Sequence, residues 1–461
     1  MKTNIYENKS LTKLIFLFGV PSILSLMVEM LTGIVDTAFA GNLPSIGDSA
    51  LSAMALLSPL LGIFTALQTL FAMSTGILIA KYLNQAQRQN ASYTAGVVMS
   101  AAVSILTSLC CFVALSSILS ALGASGQVLL LAKQYLQIQL LSNVFSSVGY
   151  TLTSCIRAFG FPKAEVVLIT GAVVVNIVCN ILFAFVFQMG LSGLAWGTFV
   201  SEFACALGAV VFLIKKNHWL HKTPCSAKCF FHSAWELFKI GIAQTAIQLL
   251  GGFTGFVVNH RLLSLGSMVY VAAYSIVQQI YAFMLIPIVG LTQGVQTIIA
   301  YFNGNDAPKK IAKVSKRTML LCSSYGLIAL VLILNFGQPI ASVFGGGHEV
   351  IAIAQKVLLV VFLGFPLIGI LYTEMTLLQV TGHELASVLL ILSRQVFFLI
   401  PLIYVLPSLA ALWQGSLPPA MALFLCMPIA DLLSILFAML VKHRLSARGK
   451  DAIDACVLAQ D

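Results

Sequence analysis

The sequence predicts an all-α polytopic membrane protein: twelve transmembrane helices in two six-helix bundles related by a pseudo-two-fold axis. Three observations carry that expectation. Hydrophobic residues make up 59% of the 461 and charged residues only 9%, with a mean hydropathy of +0.99, whereas a soluble globule is about one-quarter charged. Apolar windows long enough to cross a bilayer recur along the whole chain, separated by polar or turn-rich breaks. The basic residues, finally, cluster in alternate connections.

At roughly 20 apolar residues per crossing, a chain of this length holds about ten to thirteen spans and no large soluble domain beside them. The windows fall near 14–40, 50–80, 93–122, 127–156, 164–188, 191–214, 236–264, 269–300, 318–343, 350–380, 385–409 and 418–441. Runs longer than a single crossing are absorbed by tilt and kinks, with Pro21, Pro59 and Pro287 as candidate kink points. The first run is too long, and carries too many acids, for a cleavable signal peptide. Seven cysteines (Cys110, Cys111, Cys155, Cys179, Cys205, Cys322 and Cys426) lie inside apolar runs, where Cys behaves as a small hydrophobe, so no disulfide framework is expected.

The formal net charge of +10 would suggest nucleic-acid binding in a soluble protein. Here the base is a topology signal. It gathers at the N-terminus (Lys2, Lys9, Lys13), in the connections after spans 2, 4 (Arg157, Lys163), 6 and 8, and in the tail (Lys442, Arg444, Arg448, Lys450). The opposite face has only Lys133, Arg261 and Lys356. Both termini are therefore expected in the cytoplasm, with an even number of spans between them.

Laid on itself, the chain shows a weak repeat. LIAKY at 78–82 aligns with IIAYF at 298–302, and Gly160 and Ala164 align with Gly382 and Ala386. A repeat of six spans keeps its orientation, the parallel-repeat arrangement of transporters. The expected organisation is an N-terminal bundle at 1–214, a cytoplasmic linker at 215–235, a C-terminal bundle at 236–441 and a cytoplasmic tail at 442–461.

Charge inside a span is costly and by default marks a functional site. Glu29 and Asp36 lie on span 1, Glu202 on span 6, Glu374 on span 10, Arg394 on span 11 and Asp431 on span 12. Asn176 and Asn180 share one face of span 5, and Asn180 and Thr198 lie at about the depth of Asp36. A carboxylate, two amides and a hydroxyl at one depth form either a buried proton or Na⁺ site or polar contacts between helices. Arg394 and Asp431 lie at equal depth on neighbouring helices and are read as a structural ion pair. Glu374 is read as a carboxylate reaching the wet end of its helix. In the second half amides stand where the first has acids: Gln244, Gln248, Gln278, Gln279, Gln293 and Gln296, with Tyr281 beside them. With Glu29 and Glu202, Gln244, Gln248, Gln278 and Tyr281 are the candidate substrate contacts. His221, Cys225, Cys229 and His232 match no common zinc spacing, and no metal or cofactor is expected. There is no GxxxxGKS/T phosphate loop and no HExxH. Neither ATP-driven transport nor an enzyme is expected.

Several segments then resemble one family. VDTAFAG (35–41), YLQI (135–138), RAFGFPKA (157–164), NIVCN followed by ILF (176–183) and MGLSGLAWGT (189–198) resemble the multidrug and toxic compound extrusion (MATE) family. LSRQVFFLIP (392–401) and PIAD (428–431) resemble a subgroup of it. The resemblance implies a secondary antiporter that exports organic cations or other xenobiotics in exchange for H⁺ or Na⁺, a monomer in a bacterial inner membrane. It places the family's first-bundle acid on Asp36 and its partners on Tyr135, Asn176, Asn180 and Thr198. Where some members carry a second-bundle Glu in span 7 this chain has Gly251, and Glu29 matches no family-wide acid. The alternatives within transport are a flippase for lipid-linked saccharides or another twelve-span transporter. The first would want Arg or Lys deep in the first bundle, and the second a basic signature loop where this chain has KYLNQAQRQN (81–90).

Overall fold

Twelve helical spans follow one another in a computed structural model that describes residues 5–218, 226–265, 268–344, 347–412 and 418–458, with side chains as far as 442. The first half runs α1 Leu11–Gly41, α2 Gly47–Lys81, α3 Ala86–Val113, α4 Gly126–Ala158, α5 Pro162–Asn180 and α6 Gly190–Lys215. The second runs α7 Ala227–Ser264, α8 Met268–Gly304, α9 Pro308–Ser342, α10 His348–Phe362 continued by Phe365–Val380, α11 Glu384–Leu392 resuming at Ile400–Leu412, and α12 Pro419–Phe424 continued by Cys426–Leu458. A short helix, Ile5–Asn8, precedes α1. The described residues contain no strand.

Ten helices are each long and apolar enough to cross a membrane, and α10, bent by 48° at its break, makes an eleventh. The twelfth is α4. Its 33 residues rise about 50 Å at 1.5 Å per residue, but Lys133, Gln134, Gln137, Gln139 and Asn143 make it more polar than the rest. The helices also overrun the apolar windows. α9 begins at Pro308, ten residues before its window, because Lys309, Lys310, Lys313, Lys316 and Arg317 continue the helix beyond the apolar stretch. Similarly α7 begins at Ala227, inside the stretch read as linker. The single window at 93–122 is broken at Ala114, after which a separate helix, Leu115–Ala121, begins.

The chain separates into two compact units, Met1–Leu249 with Gln293–Val314, and Leu250–Thr292 with Ser315–Asp461. Within the first, the early part of α7 is tied to α2 by Thr245, whose hydroxyl donates to the Ala66 carbonyl at 3.3 Å. Tyr301 near the end of α8 donates to Glu7 at 2.8 Å.

The repeat is visible in local geometry. Gly160 (φ +94°) ends α4 and Gly382 (φ +89°) ends α10, the two glycines paired by the sequence repeat. Both occupy the left-handed region, where a side chain is strained. The residue after each glycine closes the helix behind it: Phe161 N–H donates to Ile156 O at 3.1 Å and His383 N–H to Leu378 O at 3.0 Å, a Schellman-type close. Beyond these turns α5 and α11 each widen into a π-helix, Ile181–Val186 in one and Ser393–Leu399 in the other. Such segments are rare and concentrate at functional positions.

Proline does not stop α1, α2 or α8, which run through Pro21, Pro59 and Pro287. Each proline lacks the N–H that would close the turn behind it. Many large apolar side chains, Phe16, Leu31, Ile105, Leu109, Val167 and Phe256 among them, face outward, as a lipid-contacting surface requires.

Candidate functional site: a carboxylate and amide cluster on α1, α4, α5 and α6

Asp36 projects half-buried from the last two turns of α1. Opposite it, Asn176 and Asn180 stand one turn apart on α5, 2% and 0% exposed. The Asn180 amide Nδ2 donates twice, to Asp36 Oδ1 at 2.6 Å and to Asn176 Oδ1 at 3.0 Å. Spacing of i, i+4 on one helix makes the second bond automatic, and the packing of α1 on α5 makes the first. The short contact to the carboxylate is charge-assisted. Asn180 Oδ1 and Asn176 Nδ2 are buried without a hydrogen-bond partner. A buried carbonyl oxygen and a buried N–H left unmade are costly, and they give the cluster unused capacity for a cation or a water.

Tyr135 of α4 completes the cluster. It is 4% exposed, within electrostatic reach of Asp36, and its hydroxyl accepts a bond from Gln139 Nε2 at 2.8 Å. Leu131, Ala132, Leu136, Leu191, Leu194 and Ala195 form the buried apolar bed around it. Thr198 lies on α6, but its hydroxyl donates to the Leu194 carbonyl at 3.1 Å. That i−4 back-bond is the usual resting state of a helical Thr, so in this conformation Thr198 is not a ligand of the carboxylate. Gly197 decides how closely α6 approaches. A Cβ there would overlap Asn180 Oδ1. Gly197→Ala is therefore expected to push the Asn180 amide off Asp36 and, as an overpacking change of about 1–3 kcal/mol, to lower thermal stability together with transport. Unchanged melting and unchanged transport would show that α6 has slack at this point.

A second acidic group lies in the same unit. Glu29 of α1 and Glu202 of α6 lie within electrostatic range of each other, and Glu202 accepts a hydrogen bond from Ser146 of α4. Gln68 Oε1 lies 3.4 Å from the same Ser146 hydroxyl, whose single proton serves one acceptor at a time, and Gln68 donates to Asn143 at 3.0 Å. The sequence reading missed a neighbouring pair. Arg157, which it counts among the loop bases, is turned inward with its Nη1 3.0 Å from Glu165 Oε1, both side chains almost fully buried. Its other guanidinium contacts are Ser22 at 3.5 Å, Ser154 at 3.3 Å and Met73 Sδ at 3.6 Å. The available signal was the tight turn at Gly160 between two antiparallel helices, which brings the last turn of one and the first turn of the next together.

The remaining candidates are divided between the units. Gln244, half-buried, and Gln248, exposed, belong to the first; Gln278 and Tyr281 belong to the second. In the second unit Arg394 Nε donates to Asp431 Oδ1 at 2.6 Å. Arg394 Nη2 also reaches the Tyr281 hydroxyl at 3.5 Å, which attaches Tyr281 to the ion pair. Gln278 donates to Tyr274 at 2.6 Å. Thr254 of α7 donates to Gln395, beside Arg394, at 3.0 Å. Glu374 accepts from Lys442 Nζ at 2.6 Å, with the Lys side chain 61% exposed. An exposed partner makes this pair weak, so Lys442→Ala is expected to change stability by less than about 1 kcal/mol, and a larger drop in melting temperature would contradict that. Of the four potential metal ligands before and in α7, His221 and Cys225 lie outside the described residues, as do the side chains of Arg444, Arg448 and Lys450.

Twelve spans, a repeated turn geometry and charged groups held inside the helices define a polytopic helical membrane protein of the two-repeat kind. Residues 21–182 and 242–405 match the MatE family, and the chain belongs to that family. The multidrug export protein MepA of Staphylococcus aureus (strain MSSA476) is 26% identical over 453 residues, covering 97% of this chain and 98% of the relative. MepA of Staphylococcus haemolyticus (strain JCSC1435) is 26% identical over 428 residues, covering 92% and 94%. Among solved structures, the Vibrio cholerae MATE transporter VcmN in the bent form superimposes with a TM-score of 0.85 at 19% identity, covering 94% of this chain and 96% of that one. A MOP superfamily transporter from Pyrococcus furiosus has a TM-score of 0.84 at 16% identity, covering 97% and 99%.

Proposed function

We propose that this MatE-family chain is a secondary active multidrug efflux antiporter that exports organic cations or other xenobiotics in exchange for H⁺ or Na⁺ by alternating access. The observation that carries the reading is the carboxylate of Asp36 held by Asn180, which is held in turn by Asn176. A membrane-embedded acid bonded to neutral donors responds to a proton or a cation. Protonation removes its charge, weakens the charge-assisted N–H···O bond and frees the Asn180 amide, which loosens α1 from α5. Drug release follows from that rearrangement, with Pro21 the turn of α1 best able to yield. Loss of the proton on the other side restores the anion and its bond. The names of the MepA relatives support drugs as cargo, and the accessible acids Glu29 and Glu202, with the amides Gln244, Gln248 and Gln278, supply contacts for cationic and polar groups.

In this reading the bundles are 1–214 and 236–441, joined by the linker at 215–235 and followed by the tail from 442. Both termini are in the cytoplasm of a bacterial cell, with the protein a monomer in the inner membrane. The test is efflux of a fluorescent organic cation from proteoliposomes of the purified chain under an imposed pH gradient and, separately, a Na⁺ gradient. Transport under either supports antiport and names the ion; transport under neither sinks this reading and favours a flippase.

A further inference from the structure

A groove of about 640 Å³ opens on the outer surface of the first unit, where the start of α1 meets the start of α5. Its rim is basic: Lys9 and Lys13 from the entry to α1 and Lys163 from the first turn of α5. Its wall is apolar. Phe16, Leu17, Val20 and Leu24 follow Lys13 along one face of α1, and Val166 faces them from α5. Phe16, Val20 and Leu24 are each close to half exposed.

None of the three lysines is ion-paired among the described residues. The nearest acids in sequence are engaged elsewhere, Glu7 with Tyr301 and Glu165 with Arg157. Both helices also begin here, so their N-terminal dipole ends add positive potential at the same level. A cationic drug is repelled by such a rim, and a small soluble anion has no use for the apolar wall below it, about two and a half turns from Phe16 to Leu24. Basic pockets between helices near the cytoplasmic interface suit acidic lipid headgroups.

We infer that this groove binds an anionic phospholipid, with the headgroup phosphate on Lys9, Lys13 and Lys163 and an acyl chain along Phe16, Val20 and Leu24 against Val166. Pro21 lies in the groove floor beside Leu17, and Pro21 has no N–H to donate to the Leu17 carbonyl four residues back. The lipid therefore lies against the weakest turn of the helix that carries Asp36. Occupancy steadies that turn and makes α1 sensitive to the acidic lipid of its leaflet. The binding step stands on the groove alone; the effect on transport rests on the antiport reading above.

The test is native mass spectrometry of the full chain with phosphatidylglycerol, with phosphatidylethanolamine and with glycerol phosphate. The groove variant is Lys9→Gln, Lys13→Gln and Lys163→Gln together; the control is Lys309→Gln, Lys313→Gln and Lys316→Gln, an equal loss of charge elsewhere. Phosphatidylglycerol is expected to bind in preference to phosphatidylethanolamine, and its affinity to fall at least about tenfold in the groove variant only. A Val20→Trp, Leu24→Trp variant keeps every lysine, fills the apolar wall and is expected to lose the lipid as well, which guards against a charge variant that folds poorly. Equal losses in groove and control variants, retention in both groove variants, or displacement of the lipid by glycerol phosphate would each overturn the inference. None of these readouts involves drug efflux, so failure of the transport reading leaves the lipid result standing, and the reverse.

Discussion

Asp36→Asn is expected to abolish gradient-driven efflux while leaving the protein folded. The substitution preserves the volume and the hydrogen bond from Asn180, since an amide oxygen also accepts at Oδ1, but it removes the group that can change charge. A charge-assisted bond of about 1.5–3 kcal/mol becomes a neutral one, and the change between the two states of the cluster disappears with it. Efflux in proteoliposomes should drop to the level of empty vesicles, while size-exclusion behaviour and melting temperature stay near wild type. Undiminished, gradient-dependent transport by the variant would remove Asp36 from the coupling step and move attention to Glu29 and Glu202, two further acids within the spans of the first unit.

The second large effect concerns stability. Arg157 and Glu165 lie 3.0 Å apart and almost fully buried, and removing one member of such a pair leaves an uncompensated charge, at a cost of about 3–5 kcal/mol. Arg157→Met alone and Glu165→Met alone are each expected to lower the melting temperature of the purified protein sharply. The double variant should lie close to wild type, because two apolar side chains of similar reach replace both desolvated charges. Thermal unfolding of all four proteins in one detergent measures the coupling directly. Simple additivity, with the double variant as unstable as the two singles combined, would show that the pair is not energetically linked and that its contacts to Ser22, Ser154 and Met73 carry the arginine instead.

How far the sequence reached depends on the range of the interaction involved. The spans were readable because crossing a bilayer demands a long unbroken apolar run, and composition alone reports that. α4 was readable too, although it is too polar for a strict hydropathy criterion, because its turn signals at Gly126 and Gly160 bound it on either side. The repeat could be read at Gly160 and Gly382, where a left-handed turn admits few residues, and the structure puts the same helix close behind each. The Asn176–Asn180 bond follows from i, i+4 spacing on one helix, and the approach of Asp36 to Asn180 from equal depth on neighbouring helices. Arg394 and Asp431 met for the same reason.

Other features lay beyond that reach. Depth does not report which way a side chain turns, so Arg157 read as a loop base when the end of α4 folds it inward onto Glu165. Thr198 has the right depth, yet its hydroxyl donates to the Leu194 carbonyl one turn back on its own helix, a local bond that depth does not report. Gln139 as the partner of Tyr135, and the basic groove shared by α1 and α5, arise from residues far apart in sequence whose juxtaposition no local pattern encodes.

By itself, then, the sequence determined that the chain lives in a membrane, how many times it crosses, which stretches cross and at what depth the charges inside those stretches lie, since all of these follow from the bilayer's demand for apolar length and satisfied backbone. Only the tertiary structure decided that Arg157 turns inward onto Glu165, which bond the Thr198 hydroxyl makes and which lysines share a groove, because helix rotation and helix packing are set by the sum of many side-chain contacts and not by any one segment.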